Sequence, residues 1–108
     1  MDKIAMLTEI LQQNPTDAFA RYGLAMAYAA EGKTEHALRE FEITTEHNQD
    51  YVPGYQMSAQ TLMKVGRNDE AKARLQAGMA ACERTGNGHA ASEMGAMLEE
   101  LVGAGSSS

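Results

Sequence analysis

The chain has 108 residues and a formal net charge of −6, with nine Lys and Arg residues against fifteen Asp and Glu residues. This acidic balance argues against a nucleic-acid partner and against an anionic membrane surface, because both attract proteins through dense basic patches. Hydrophobic residues make up 44% of the chain, which is too large a share for a disordered protein. The single cysteine excludes an internal disulfide and a zinc site built from cysteines.

The N-terminus shows no signal peptide, because residues 1–4 lack a basic region followed by an apolar run. No apolar stretch reaches the ~20 residues that a membrane-spanning helix needs. A lone thiol is typical of a reducing compartment. We therefore expect a cytoplasmic protein that makes no contact with a membrane.

The first predicted element is a helix over residues 3–13. Ile4, Leu7 and Leu11 recur at intervals of three and four, and the pattern stops at Asn14-Pro15. This spacing predicts an N-terminal cap helix with one apolar face.

Residues 18–51 contain two helical patterns separated by a turn. The apolar positions that share a face are Leu24, Ala25 and Tyr28 in the first pattern, and Ala37, Leu38, Phe41 and Thr45 in the second. Gly32 can take the left-handed conformation that ends a helix, and Thr34 can cap the next one. The segment predicts two antiparallel helices joined by a short turn.

Residues 52–85 repeat this arrangement at a constant offset of 34 residues. Identical residues that align at this offset are Ala25 with Ala59, Gly32 with Gly66, and Ala37 with Ala71. Asn68 or Asp69 is the expected cap of the second helix. A fixed offset with no slip in register predicts two copies of one structural unit.

The last predicted helix covers residues 89–102, and residues 103–108 are expected to form a short disordered tail. Met94, Met97, Leu98 and Leu101 are spaced as one helical face. The chain is therefore predicted to be all-α, a helix-turn-helix repeat stack of about six helices. It forms a single domain over residues 1–102, in which the two terminal helices cap the apolar ends of the stack.

The two copies resemble the tetratricopeptide repeat family from residue 18 to residue 85. The resembling strings are FARYGLAMAYAAEGKTEHALREF and GYQMSAQTLMKVGRNDEAKARL. The family places a large and a small residue together on the first helix, then an aromatic residue, a turn glycine, and an alanine and an aromatic residue on the second helix. In the first copy these places hold Leu24, Ala25, Tyr28, Gly32, Ala37 and Phe41.

The sequence departs from the family pattern at two places. Arg21 and Tyr55 stand where the family has an early tryptophan, and Gln49 and Glu83 replace its closing proline. The layout of two repeats and a final helix is similar to that of small stand-alone bacterial proteins of the family.

The resemblance implies a right-handed stack whose first helices line a concave groove that binds a peptide or a partner protein. Carried over by register, the groove residues are Phe19, Tyr22, Met26, Ala29, Pro53, Gln56, Gln60, Met63 and Lys64. Methionine adapts to irregular shapes, so this groove suits an apolar helix or an extended segment.

Some members of the family bind an acidic chaperone C-terminus through Lys, Arg and Asn residues in the groove. Here three of those places hold Tyr22, Met26 and Met57, and Lys64 is the only cation left. The residues therefore argue against that class of partner. An alternative is that the last helix of the chain covers Tyr22 and Met26. Four other methionines are expected to fill the core: Met57, Met79, Met94 and Met97.

The histidines and the cysteine give no sign of a metal site or of catalysis. His36 and His47 share a helix face, but the rise of about 1.5 Å per residue separates them by about 16 Å, too far to share a metal. Cys82 falls on an apolar stripe, so we expect it to be buried and inert, and His89 has no third catalytic residue beside it.

Other polar motifs are expected to be structural. Glu35 with Arg39, and Glu70 with Arg74, are spaced i, i+4 and predict ion pairs along two helices. Gly86-Asn87-Gly88 follows a predicted helix and lacks the Lys-Ser/Thr ending of a phosphate loop, so it predicts a turn.

These observations predict a protein–protein interaction module that binds a partner peptide or helix in its groove, with no cofactor, no metal and no enzymatic activity. The alternative is a self-association module in which the end or groove surfaces pair two copies into a homodimer.

Overall fold

The computed structural model describes residues 2–106, and within that range it contains six α-helices and no strand. The helices are α1 (Lys3–Gln13), α2 (Ala18–Ala30), α3 (Thr34–His47), α4 (Val52–Lys64), α5 (Asn68–Thr85) and α6 (Gly88–Ser106). The predicted all-α repeat stack is confirmed.

Each helix packs on the next one in the chain. α2 with α3 and α4 with α5 form two antiparallel hairpins, and α3 packs on α4 to join them. α1 flanks the first hairpin through α2, and α6 flanks the second through α5. The stack measures 46 × 31 × 18 Å, and its radius of gyration is 14.2 Å, against about 13 Å for a rounder domain of this length.

Alanine residues let the two helices of each hairpin approach closely. The alanines with no exposed surface at equivalent places in the two copies are Ala25, Ala37, Ala59 and Ala71. Phe41 and Leu75 fill the space beside them and are also fully buried. Burying one such large side chain stabilises the fold by about 1.5–3 kcal/mol, so the repeated residues identified in the sequence are the packing contacts of the hairpins.

The hairpin turns are closed by glycine, as predicted, but not by the predicted caps. Gly32 and Gly66 have φ values of 75° and 78°. The following residues donate back across the helix end, Lys33 N to the carbonyl of Tyr28 and Arg67 N to the carbonyl of Leu62.

The tight turn leaves one residue between the glycine and the next helix. Lys33 and Arg67 therefore occupy the cap positions of α3 and α5, and neither makes a side-chain cap bond. Thr34 and Asn68 fall inside the first turn instead, so the predicted capping by Thr34 and by Asn68 or Asp69 is wrong.

α6 is longer than the 89–102 helix predicted from the sequence. It begins at Gly88, with the side chain of Asn87 accepting from the backbone N–H of Ala90 at 3.1 Å, and it continues to Ser106. Residues 103–106 are thus helical rather than part of a disordered tail, and residues 107–108 lie outside the described range. Once a helix is nucleated, each added residue gains one backbone hydrogen bond, and this outweighs the Gly and Ser composition here.

Candidate functional site

The nine predicted groove residues lie on α2 and α4, and none of them is buried. Phe19, Pro53, Gln60 and Lys64 are exposed, and Tyr22, Met26, Ala29, Gln56 and Met63 are half-buried. All nine therefore retain surface that a partner could contact.

An aromatic cluster forms where α2 meets the turn before α4. The ring of Tyr22 lies 6.0 Å from that of Phe41 and 5.5 Å from that of Tyr51, tilted in both cases. Such tilted pairs are favourable for aromatic side chains. Phe19 stands one turn earlier on α2 and is 76% exposed. The ring of Tyr22 is thus held by two aromatic neighbours, and Phe19 leaves most of its surface open on the same helix.

Tyr51 is a member of this cluster that the sequence argument missed. It lies outside both helical stripes, in the turn between α3 and α4, so helical periodicity carries no signal for it. The sequence feature that could have indicated its role is its position as an aromatic residue directly before Val52-Pro53. Burial raises the pKa of both Tyr22 and Tyr51, so both phenols are neutral hydrogen-bonding groups at physiological pH.

The methionines of the stack support the core or border the groove. Met26 and Met57 pack against the buried cluster of Ala25, Ala37 and Phe41. Met94 is fully buried, and Met79 and Met97 pack against the core of the second hairpin. Met94 therefore fills the core as predicted, whereas Met57, Met79 and Met97 are half-buried and pack against its edge.

α6 borders the α4 end of the groove without covering α2. Glu93 of α6 accepts a hydrogen bond from Nε2 of Gln56 at 3.4 Å and lies 3.7 Å from Nε2 of His89. α6 packs mainly on α5, and it has no comparable contact with α2 in the described part of the chain. The alternative in which α6 covers Tyr22 and Met26 is therefore not what the structure shows.

The ion pairs predicted along α3 and α5 do not form. Glu35 and Glu70 both pair with Arg67, which lies in the turn between α4 and α5; the Arg67–Glu70 distance is 2.8 Å. Arg39 makes no ion pair or hydrogen bond within residues 2–106. Because Arg67 lies between the two helices, its guanidinium contacts the carboxylates of both Glu35 and Glu70.

Arg74 turns inward instead of pairing with Glu70. Its Nε donates to Oγ of Ser58 at 3.2 Å, and its Nη2 donates to Oγ1 of Thr45 at 2.9 Å. The guanidinium lies 4.9 Å from the centre of the Tyr55 ring. Burial lowers the pKa of this guanidinium.

The remaining titratable groups form no recognisable reaction centre. Cys82 is buried, and burial raises the pKa of its thiol. The ring of His36 lies 5.1 Å from that of Tyr28 in a tilted arrangement, and His89 is highly exposed. Across residues 2–106 there is no group of three or more His, Cys, Asp and Glu side chains placed to hold a metal ion. Nor does any helix in that range combine the length and apolar character needed to cross a membrane.

Two hairpins in register, flanked by single helices and presenting one face of their first helices, define a helical repeat protein. Residues 4–58 match the family model described as Tetratricopeptide repeat. The chain belongs to the tetratricopeptide repeat family.

Three solved structures show the same fold. The TPR2B domain of yeast Sti1, in complex with pHsp70, matches with a TM-score of 0.84 at 21% identity, covering 92% of this chain and 79% of that chain. PcrH, in complex with the chaperone binding region of PopD, matches with a TM-score of 0.85 at 19% identity, covering 93% and 76%. A tetratricopeptide repeat domain protein from Salinibacter ruber matches with a TM-score of 0.77 at 27% identity, covering 83% and 91%.

No curated protein sequence matches the chain significantly. Proteins of this family are typically non-enzymatic scaffolds that bind other proteins. In that general sense the chain is a protein-interaction module.

Proposed function

We propose that this protein binds an apolar helix or extended segment of a partner protein in the groove formed by α2 and α4. The observation that carries the proposal is the aromatic cluster of Tyr22, Phe41 and Tyr51. Phe19, one helical turn before Tyr22 on α2, adds an aromatic side chain that is 76% exposed. The ring of Tyr22 is already held by Phe41 and Tyr51, so it loses little side-chain entropy when a partner covers its remaining surface. Aromatic anchors of this kind dominate many interfaces.

The fold neighbours support the binding of a partner protein, but the chemistry of the residues here argues for a different ligand. The Sti1 domain and PcrH are each in complex with a partner segment. In this chain the groove holds Tyr22 and Met26 at half-buried positions, while Lys64 supplies its one predicted cation. A carboxylate recognised in a groove requires converging cations and amide donors. We therefore propose an apolar rather than an acidic partner segment.

The test is affinity capture from the native host with the wild-type protein and the Phe19→Glu variant. Phe19 lies in the first turn of α2, where a negative charge is favourable, so the variant should keep its stability. Loss of an aromatic side chain that dominates the interface should lower the affinity for the captured partner by at least about 30-fold.

Ala77→Glu, at an exposed place on α5, is the matched control and should retain the partner. Met26→Glu is a second groove variant, with circular dichroism to show that it is folded. A partner retained by both Phe19→Glu and Met26→Glu would remove the groove proposal.

The second candidate function is self-association of the chain. Met6 and Ile10 are 46% and 41% exposed on α1, and Val102 is 55% exposed on α6. α1 takes the place of the second helix of a preceding repeat, and α6 takes the place of the first helix of a following repeat. The two ends of the stack therefore correspond to the two halves of one repeat. Light scattering at several concentrations, with Ile10→Lys as the weakened variant, tests this candidate; a strict monomer contradicts it.

The proposed module spans residues 1–102 and uses no cofactor and no catalytic group. We place it in the cytoplasm. A single cysteine, buried on α5, fits a reducing compartment.

A further inference from the structure

A cleft of about 610 Å³ opens between α3 and α5, on the side of α4 away from the groove. Ser58 and Leu62 of α4 line it, whereas Gln56, Gln60 and Met63 lie on the opposite face of the same helix. α3 and α5 make at most marginal contact with each other, so α4 forms the floor between them. The volume is within the roughly 300–1,000 Å³ range of small-ligand sites.

One wall of the cleft carries a half-buried cation without a carboxylate partner. Two N–H groups of Arg74 bond to Ser58 and Thr45, but Nη1 makes no hydrogen bond within the described chain. Nη1 is not sealed by protein either, since the one buried unpaired side-chain nitrogen among the described residues is Nε of Arg21. Guanidinium stays charged in proteins, and a partly desolvated charge with a free donor favours an anionic ligand.

The opposite wall supplies a second unpaired guanidinium. Arg39 of α3 lines the same cleft, and no carboxylate within residues 2–106 pairs with it. Arg67, the third arginine of the cleft, is neutralised by Glu35 and Glu70. Glu35 and Glu70, which lie four residues before Arg39 and Arg74, are thus engaged with Arg67.

The rest of the lining is apolar. Leu38, Leu62 and Ala73 form part of the walls and floor. We propose that this cleft binds a carboxylate group carried on an apolar stem, with Arg74 and Arg39 as the cationic contacts.

A singly charged carboxylate fits better than a phosphate. Glu35, Glu42 and Glu70 also line the cleft, and their charges repel a doubly charged anion more strongly than a singly charged one. The planar guanidinium also matches the geometry of a carboxylate. The charges of Glu42 and Glu46 both oppose the lowering of the Arg74 pKa by burial. Of these two, Glu42 lines the cleft and competes with the ligand for the same cation.

The direct test compares hexanoate with hexanamide, which has the same size and no charge, by amide NMR titration of the full chain. Hexanoate should bind in the millimolar range and shift the resonances of residues in α3 and α5, with at least about tenfold higher affinity than hexanamide. Equal binding of the two compounds would overturn the proposal.

An acetylated peptide ending in leucine, with a free or an amidated C-terminus, distinguishes the two sources of such a ligand. If the free-acid peptide binds more tightly than hexanoate, the natural ligand is the C-terminus of a protein. If it binds more weakly, the ligand is a small organic acid. Both results keep the cleft as the site, provided that the amidated peptide binds less well than the free acid.

Three substitutions in the cleft test whether hexanoate binds there. Arg39→Gln leaves packing intact, because Arg39 is exposed, and should weaken hexanoate by about tenfold. Arg74→Lys keeps the positive charge but loses the planar pair of N–H donors, so it should also weaken hexanoate binding. Glu42→Gln removes the carboxylate that competes for Arg74 and should tighten hexanoate binding.

Lys64→Gln removes a cation from the opposite face of α4 and is the matched control. The proposal would be overturned if Lys64→Gln lowered the affinity for hexanoate. It would also be overturned if neither Arg39→Gln nor Arg74→Lys changed that affinity.

Discussion

Gly78 marks a close approach between helices of the stack, and replacing it should destabilise the protein. A Cβ atom added at this position would lie 2.6 Å from Sδ of Met94 in α6 and 2.7 Å from Cβ of Tyr55 in α4. Sδ belongs to a flexible side chain that can move. Cβ of Tyr55 is fixed to the backbone of α4, so the helices themselves would have to separate.

Two effects of opposite sign decide the magnitude. In the middle of a helix, alanine is more favourable than glycine by roughly 0.5–1 kcal/mol. Overpacking a tight core costs about 1–3 kcal/mol. The net expectation for Gly78→Ala is a loss of about 1–2 kcal/mol in the free energy of unfolding, which corresponds to a fall of about 4 °C or more in Tm.

Gly95→Ala is the matched control, because it has the same chemistry without the clash. The nearest atom to a Cβ added at Gly95 is Cε of Met79 at 3.9 Å, an ordinary contact. This variant should gain about 0.5–1 kcal/mol from helix propensity alone. Urea unfolding followed by circular dichroism measures both changes. If Gly78→Ala proves as stable as the wild type while Gly95→Ala shows its gain, the reasoning from close approach is refuted.

Three further predictions concern charged and reactive groups. Arg21 and Glu40 pair at 2.6 Å with 15% and 17% of their side chains exposed, so Glu40→Gln should lower the free energy of unfolding by about 1–3 kcal/mol, and urea unfolding that shows no loss would contradict this. The hydrogen bond from Arg67 lowers the pKa of Glu70; a lowered carboxyl pKa adds stability above the unfolded-state value of 4.5 that is lost as the pH falls through the folded-state pKa. Arg67→Gln should therefore flatten the acid side of the stability–pH curve, and an unchanged curve would argue against the pair. Because burial raises the pKa of Cys82, a thiol reagent should label native protein at least about tenfold more slowly than urea-unfolded protein, and equal rates would show that the thiol is accessible.

The number of helices and their order could be predicted from the amino-acid sequence. Apolar periodicity, the 34-residue offset and the glycines at 32 and 66 depend on local chemistry that each segment carries alone. For the same reason the first helix was predicted at residues 3–13, with the bounds that the structure shows. The placement of the nine groove residues on α2 and α4 followed from register, and their role in binding stays a prediction.

Which side chains of different helices contact each other depends on how the helices pack. Arg67 pairs with Glu35, a residue 32 positions away, and also with Glu70. These two contacts leave Arg39 and Arg74 without the carboxylate partners that the sequence predicts. Tyr51 joins Tyr22 because α3 returns the chain to the start of α2. Distances between side chains on different helices depend on how the helices stack, and spacing along one helix carries no information about them. The groove could therefore be proposed from the sequence, whereas the cleft with its unpaired arginines became visible only once the helices were packed.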